Sequence, residues 1–290
     1  MIFYTNDLVE KYKQEIKQEI KHFKKKQGIT PVLSVVQIGN DFASNIYVRN
    51  KQKACLDVGI DCKLHNFAEK EITPLQLVKF IKELNDNKRV HAILIQLPLP
   101  SSFFNVNNIL NVIDKTKDVD GFCPYNIGAL VLGVPSVIPC TPLAVLNILK
   151  SQNFEIRGKH CVILGRSNIV GKPMAALMLS ESATITVCHT GTKNLADFCR
   201  SADILICATG CPKFVTQEMV KPGCIVIDVG ISRDENQNCC GDVDFENVKN
   251  KASFITPVPG GVGPMTIAML LKNTLDLYRT SILHSPAQLN

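Results

Sequence analysis

In the stretch ASNIYVRNKQKACLDVGI, residues 43 to 60, Tyr47 and Lys51 stand one helical turn apart. At 3.6 residues per turn, positions 47, 51, 54, 55 and 58 share a face. Lys51 therefore aligns with Ala54, Cys55 and Val58, while Arg49, Asn50, Lys53 and Asp57 take the solvated side. A lysine so placed either snorkels, its stem covered and its ammonium in water, or is held in a site where it gives and takes protons.

Two further stretches of the first half carry candidate chemistry. IQLPLP ends a strand-like run, and the carboxyl ends of strands in an open α/β sheet line the ligand crevice, so Gln96 is expected to face it, with Pro98 and Pro100 fixing the loop. In KDVDGFCPYN, Asp118 and Asp120 are either plain turn residues or, for Asp120 beside Gly121, a buried acceptor for the N–H groups of a heterocycle.

The second half opens with a strand followed by GRSNIVGKP, where Gly165 and Gly171 bracket a turn leading into a helix expected from about Ile169. Such a turn binds phosphate through backbone N–H groups and the helix dipole. The pattern departs from G-x-G-x-x-G, with Ser167 in the middle position and one extra residue. An acid about 20 residues on would hold the ribose hydroxyl of NAD. The next strand instead ends VCHTGTKN, with no acid, and Arg166 and Lys193 supply positive charge beside Thr190, which favours NADP. His189 at the same edge reads as a structural hydrogen-bonding residue.

The elements that must position these residues alternate regularly. Strand-like PVLSVVQI, CKLHNFA and VHAILIQLPLP are separated by helical patterns, giving a βαβαβ series. After LVLGVPSVIPCTP the rhythm restarts with HCVILG, TITVCH, ADILICATG, CIVIDVG and FITPVPGG. The expected fold is α/β with two domains: an N-terminal βαβ parallel-sheet domain over 1–140 and a Rossmann-like domain over 141–270, with the active-site cleft between them. A C-terminal helix, 271–290, is expected to pack back on the first.

Composition bounds the alternatives. The 290 residues are 46% hydrophobic, enough for sizeable cores, and no apolar run is long enough to span a membrane. MIFYTNDLVE leads into a lysine-rich amphipathic helix ending near Gly28 rather than a signal-peptide core, so a cytoplasmic protein is expected. The net charge of +6 suits an anionic small molecule. Aromatics at 6% with no tryptophan argue against nucleic-acid binding. Twelve cysteines without a C-x-x-C pair read as buried reduced thiols, and no metal site is expected.

In order along the chain, YVRNKQKAC, IQLPLP, KDVDGFCPYNIG, PCTP, GRSNIVGKP, IDVGI and TPVPGGVGPMT closely resemble the bifunctional methylenetetrahydrofolate dehydrogenase/methenyltetrahydrofolate cyclohydrolase family. The resemblance implies NADP-dependent oxidation of 5,10-methylenetetrahydrofolate to the methenyl cation, then hydrolysis to 10-formyltetrahydrofolate. It makes Lys51 the general acid/base, Tyr47 the residue that stacks on or orients the folate, Gln96 the lysine's hydrogen-bonding partner and Asp120 the pterin anchor. Pro259, Gly260 and Gly261 would border the folate, the glycines letting backbone approach a flat ligand. Gly165, Arg166, Ser167, Thr190 and Ile231 would contact the cofactor. A lysine shielded from water is more easily neutral, and a substrate cation pushes the same way. The family also implies tetrahydrofolate derivatives, polyglutamylated forms among them, as substrates, and a homodimer.

Three departures from the family pattern stand out. Gly191 replaces a basic residue near the adenosine phosphate, Phe42 replaces proline ahead of the lysine's helix, and an N-terminal D-G-K element is missing. Competing readings are a monofunctional dehydrogenase, a shikimate-type two-domain dehydrogenase and a folate-binding protein without turnover. The joint presence of Tyr47, Lys51, Gln96, Asp120 and the phosphate turn weighs against all three.

Overall fold

The computed structural model describes residues 1–283 apart from 104 and 236. The side chains of residues 27, 42 and 43 and all of 284–290 lie outside the described residues, including the Phe42 side chain and the end of the helix expected over 271–290. The chain divides into two compact units. The first comprises Lys11–Gly128, Ser136–Cys140 and the chain from Ile267, and the second Met1–Glu10, Ala129–Pro135 and Thr141–Thr266.

The amphipathic helix α1 (Asn6–Gln27) leads into the first unit, where β1 (Val32–Ile38), α2 (Phe42–Val58), β2 (Asp61–Phe67), α3 (Pro74–Asp86) and β3 (Ala92–Ile95) follow in turn. The strands form a parallel sheet in the order β2-β1-β3. Nearly all of β1 and the whole of β3 are buried, as a run of Val, Ile and Leu covered on both faces requires. Leu77, Ile81 and Leu84 on one face of α3 pack with Val36, Ile93, Ile95 and, beyond β3, Ile109 and Leu110 of α4 (Val106–Leu110). Thr73 caps α3 in a capping box with Gln76, ahead of Pro74 in the first turn.

α5 (Pro124–Val131) and α6 (Cys140–Ser151) precede the second sheet. That sheet is built from β4 (His160–Leu164), α7 (Gly171–Ser180), β5 (Thr184–Cys188), α8 (Leu195–Ser201), β6 (Ile204–Cys207) and β7 (Ile225–Asp228). The expected helix between β6 and β7 is a single 3₁₀ turn, Gln217–Met219. A two-stranded antiparallel ribbon that the sequence did not announce, β8 (Ser232–Arg233) with β9 (Cys239–Cys240), is followed by α9 (Phe245–Val248), β10 (Phe254–Ile255) and α10 (Val262–Leu283). The main sheet is parallel with order β10-β7-β6-β4-β5. The chain leaves β4 to one side for β5 and returns to the other for β6, so the carboxyl end of β4 is the switch point at which such sheets bind ligands.

Against a division at residue 140 with the last helix returned to the first half, residues 1–10 and 129–135 join the second unit and the return begins at Ile267, and both ends have local contacts. Ile2 pairs in parallel with Ile255: Phe3 N–H donates to Ile255 O at 2.9 Å and Ile255 N–H to Met1 O at 2.9 Å. Phe3 also packs on Phe254, with ring centroids 5.3 Å apart. Residues 1–5 thus extend the edge of the second sheet instead of belonging to the first. At the other end, the buried Tyr278 of α10 donates from Oη to Ile29 O at 3.1 Å and meets Phe23 and His91 edge-on, at 5.7 and 4.9 Å. Those contacts tie α10 from Ile267 onward into the first unit.

Candidate active site

α2 carries Lys51 at its middle and is held at both ends. Asp41 caps it by accepting Ser44 N–H at 2.8 Å, and Gly59, at φ 92°, ends it by donating to the carbonyls of Cys55 and Leu56. Ala54, Cys55 and Val58 are buried, and Lys51, one turn earlier on that face, is partly buried. Its Nζ donates to Gln96 Oε1 at 2.9 Å. Gln96, directly after β3, is itself fixed: its N–H donates to Val36 O at 2.8 Å and its Nε2 to Leu97 O at 2.6 Å, which turns Oε1 toward the lysine. Tyr47 lies one turn before Lys51 on α2 and is partly buried.

The two acids of D-V-D-G divide their work. Asp118 is buried and accepts Cys123 N–H at 2.8 Å and Asn126 Nδ2 at 3.0 Å through one oxygen, which makes it the acid that shapes the turn. Asp120 lies instead within electrostatic reach of Lys51, with the Cys140 thiol beside it. Burial raises its carboxyl above the ordinary range, opposed by the charge of Lys51 and reinforced by Asp118. Burial pushes the Cys140 thiol up in turn, with Asp120 adding to the effect. Gly121, at φ 68°, closes the turn where a Cβ would stand 3.2 Å from Pro139 N and Val137 O. The first unit therefore brings Lys51, Gln96 and Asp120 into one cluster, with Tyr47 on the same helix face.

Cys140, in the PCTP motif, is a member of this cluster that residue-level reasoning gave no role.

In the second unit the turn after β4 is made by backbone. Gly165 sits at φ 115° with its N–H donating to Cys188 O at 2.9 Å, and a Cβ there would lie 2.2 Å from Ala208 O. A Cβ on Gly171 would lie 2.1 Å from Gly165 O. Ser167 Oγ accepts Val170 N–H at 3.1 Å and Gly171 N–H at 3.3 Å. α7 begins at Gly171, two residues after the expected start. Arg166 and Ser167 stay exposed at the mouth of the turn, with Thr190 exposed beyond β5. A turn with no room for a Cβ at Gly165 or Gly171, at the switch point and leading into a helix N-terminus, with the exposed Arg166 at its lip, fits a dinucleotide.

His189 Nδ1 accepts Gly191 N–H at 3.1 Å. Its ring would crowd any side chain at 191, with a Cβ there 3.2 Å from Cε1, which gives a local reason for the glycine.

Ile231, after β7, is 46% exposed and lies against the start of α10, where a Cβ on Gly263 would be 3.7 Å from its Cδ1. Just before α10, Pro259, Gly260 and Gly261 form a loop pinned from the N-terminus. Thr5 Oγ1 donates to Gly261 O at 2.7 Å, and Thr5 N–H to Gly260 O at 3.0 Å. Here the reason for the glycines is internal: a Cβ on Gly261 would lie 2.4 Å from Pro257 O, and Gly260 stands at φ 100° with Tyr4 Cδ1 3.0 Å from its Cβ position. The loop needs them in order to close on itself, whatever else approaches it.

Residues 4–120 match the catalytic domain, and residues 139–282 the NAD(P)-binding domain, of tetrahydrofolate dehydrogenase/cyclohydrolase. The chain belongs to the tetrahydrofolate dehydrogenase/cyclohydrolase family. It is 54% identical over 267 residues to the bifunctional protein FolD of Agathobacter rectalis, covering 92% of this chain and 95% of that one. The bifunctional FolD of Campylobacter jejuni superposes with a TM-score of 0.93 at 46% identity, over 97% of this chain and 99% of that one. FolD of Trypanosoma brucei, solved with NADP cofactor and inhibitor, superposes with a TM-score of 0.92 at 35% identity, over 97% and 98%. The two matched domains of the family meet the two parallel sheets, and the Lys51 cluster and the glycine turn fall one in each.

Proposed function

We propose that Lys51 is the proton-transferring group of a bifunctional folate enzyme, held by Gln96 and served by Asp120 and Tyr47 as substrate-binding residues. The enzyme is a methylenetetrahydrofolate dehydrogenase and methenyltetrahydrofolate cyclohydrolase, and its cofactor is NADP. The observation that carries the residue assignment is the 2.9 Å hydrogen bond from Lys51 Nζ to Gln96 Oε1 within reach of Asp120.

When bound, NADP supplies the acceptor for the hydride that leaves the methylene carbon of the folate. The chain's part in that step is positioning. Tyr47 orients the folate ring system, and Asp120 holds N–H groups of the pterin. Gly165, Arg166, Ser167, Thr190 and Ile231 would hold the cofactor, with Arg166 supplying the charge that recognises its adenosine phosphate. Pro259, Gly260 and Gly261 border the folate.

In the second step water adds to the carbon of the methenyl cation. A neutral Lys51 takes a proton from that water, and the resulting ammonium returns it to the ring nitrogen as the carbon–nitrogen bond breaks. The formyl group stays on the other nitrogen, and one proton is released overall. Gln96 acts by fixing the amine: its own amide is tied to Leu97, so the lysine cannot swing without losing its partner.

We place the enzyme in the cytoplasm as a homodimer acting on tetrahydrofolate derivatives, polyglutamylated forms included. Twelve cysteines, most of them buried as free thiols, support a reducing compartment. No helix among the described residues is long and apolar enough to cross a membrane.

Decay of the methenyltetrahydrofolate chromophore with purified protein and no nucleotide tests the reading. Decay well above the spontaneous rate is expected; none would leave only the dehydrogenase reaction, which NADP reduction with methylenetetrahydrofolate measures separately.

A further inference from the structure

Asn273 interrupts the apolar run of α10, and it is buried, 5% exposed. A buried carboxamide in such a helix must find partners elsewhere. Its Nδ2 donates to Ile138 O at 2.9 Å and to Val119 O at 3.0 Å, with Cys140 Sγ 3.5 Å away. Two amide hydrogens thus tie together segments 154 and 135 residues distant along the chain. Both targets adjoin the site: Val119 precedes Asp120, and Ile138 lies two residues before Cys140, whose thiol donates to Val119 O at 3.6 Å. The D-V-D-G turn already presses on this segment through Gly121, so its position is set by what holds residues 137–140 against it.

From these contacts we infer that Asn273 is a positioning residue for folate binding: it fixes the Asp120 turn against the Cys140 segment from the far end of the sequence. It touches neither folate nor cofactor and acts through Val119, Ile138 and Cys140. The inference rests on the reading of Asp120 as the pterin-binding acid. Removing the amide would take from Ile138 O the donor it has in Asn273 and leave Val119 O with only the weak Cys140 thiol donor.

The test compares wild type, Asn273→Ala, Asn273→Ser and Asp120→Asn in both reactions. Asn273→Ala is expected to raise the KM for methylenetetrahydrofolate and for methenyltetrahydrofolate about tenfold, with the KM for NADP unchanged. Asn273→Ser, which keeps one donor, should recover a good part of that loss. A merely structural residue would lower the melting temperature and the fraction of active protein while leaving each KM where it was. Wild-type folate KM values in both Asn273 variants, with Asp120→Asn impaired, would overturn the role of Asn273 alone. Wild-type folate KM values in Asp120→Asn would overturn the Asp120 reading and this inference with it. Should the alanine variant fail to fold, the serine variant carries the same comparison, and a normal folate KM there overturns the proposal.

Discussion

In the first unit, Lys51, Gln96 and Asp120 converge from three separate stretches, and what matters is what their side chains carry. In the second, one contiguous stretch from Gly165 to Gly171 forms a cradle in which what matters is the side-chain atoms that are missing. Proton transfer needs a particular functional group at a fixed place, whereas phosphate binding needs N–H groups and room, which bare backbone supplies. The two kinds of site should therefore fail differently: the first to chemical substitutions that keep the fold, the second to a single added methyl group.

The largest expected effect is at Lys51. Lys51→Met keeps the stem and removes the amine, and should cut cyclohydrolase turnover by ~10²–10⁴-fold with NADP binding and melting temperature near wild type. Hydrolysis at the normal rate in that variant would sink the assignment. Gly165→Ala is its counterpart. The added Cβ meets Ala208 O at 2.2 Å on a backbone at φ 115°, a strain on the order of 1–3 kcal/mol. NADP binding should be lost, while nucleotide-free hydrolysis survives in the folded fraction. A variant that binds NADP normally would show that the turn is not the cradle.

Arg166→Ala comes next and sharpens the cofactor side. Losing one charge-assisted contact of ~1.5–3 kcal/mol should raise the KM for NADP about tenfold or more and leave NAD little changed. Equal changes for both cofactors would remove Arg166 from phosphate recognition.

The smallest effects are opposite pH dependences of stability in the two units. His91 is buried in the first, where burial and the neighbouring Lys117 push its value down to about 4, and its Nδ1 accepts Val32 N–H at 3.0 Å. Because its folded value is depressed, its contribution is present above pH 6.5 and is lost as pH falls through about 4. Asp228 is buried in the second unit, where burial raises it to about 7 although it accepts N–H groups from Gly230, Asp242 and Val243. Its folded value is raised, so its contribution is present below the ordinary carboxylate range and is lost as pH rises through about 7. Hydrogen exchange followed by segment should show β1 loosening toward acid and β7 loosening toward neutrality, with His91→Gln and Asp228→Asn each flattening one trend. Parallel trends in the two units would contradict both attributions.

The sheet strands were legible because covered parallel strands read as apolar runs, and the glycine turn after β4 because its glycines are close in sequence. Lys51 was legible as an anomaly, a charge on an apolar face. What stayed hidden depends on contacts between distant residues. Residues 1–5 look like a helix lead-in, yet pair with β10. Gly260 and Gly261 announce a close approach but not that the partners are Tyr4 and Pro257. Asp118 and Asp120 look equivalent until Asn126 and Cys123 claim the first. Asn273 offered only a faint signal, an amide among leucines, and its partners could not be guessed from spacing.

The return of α10 to the first unit has a consequence for how the molecule is made. A ribosome completes every segment of the second unit when it passes Thr266, while the first unit, begun at Lys11, still lacks the helix that carries Asn273 and Tyr278. Synthesis from the N-terminus therefore finishes the nucleotide-binding half before the half that carries the lysine. A chain stalled on its ribosome within α10 would already have every strand of the second sheet synthesised, while the Asp120 turn still lacked its anchor.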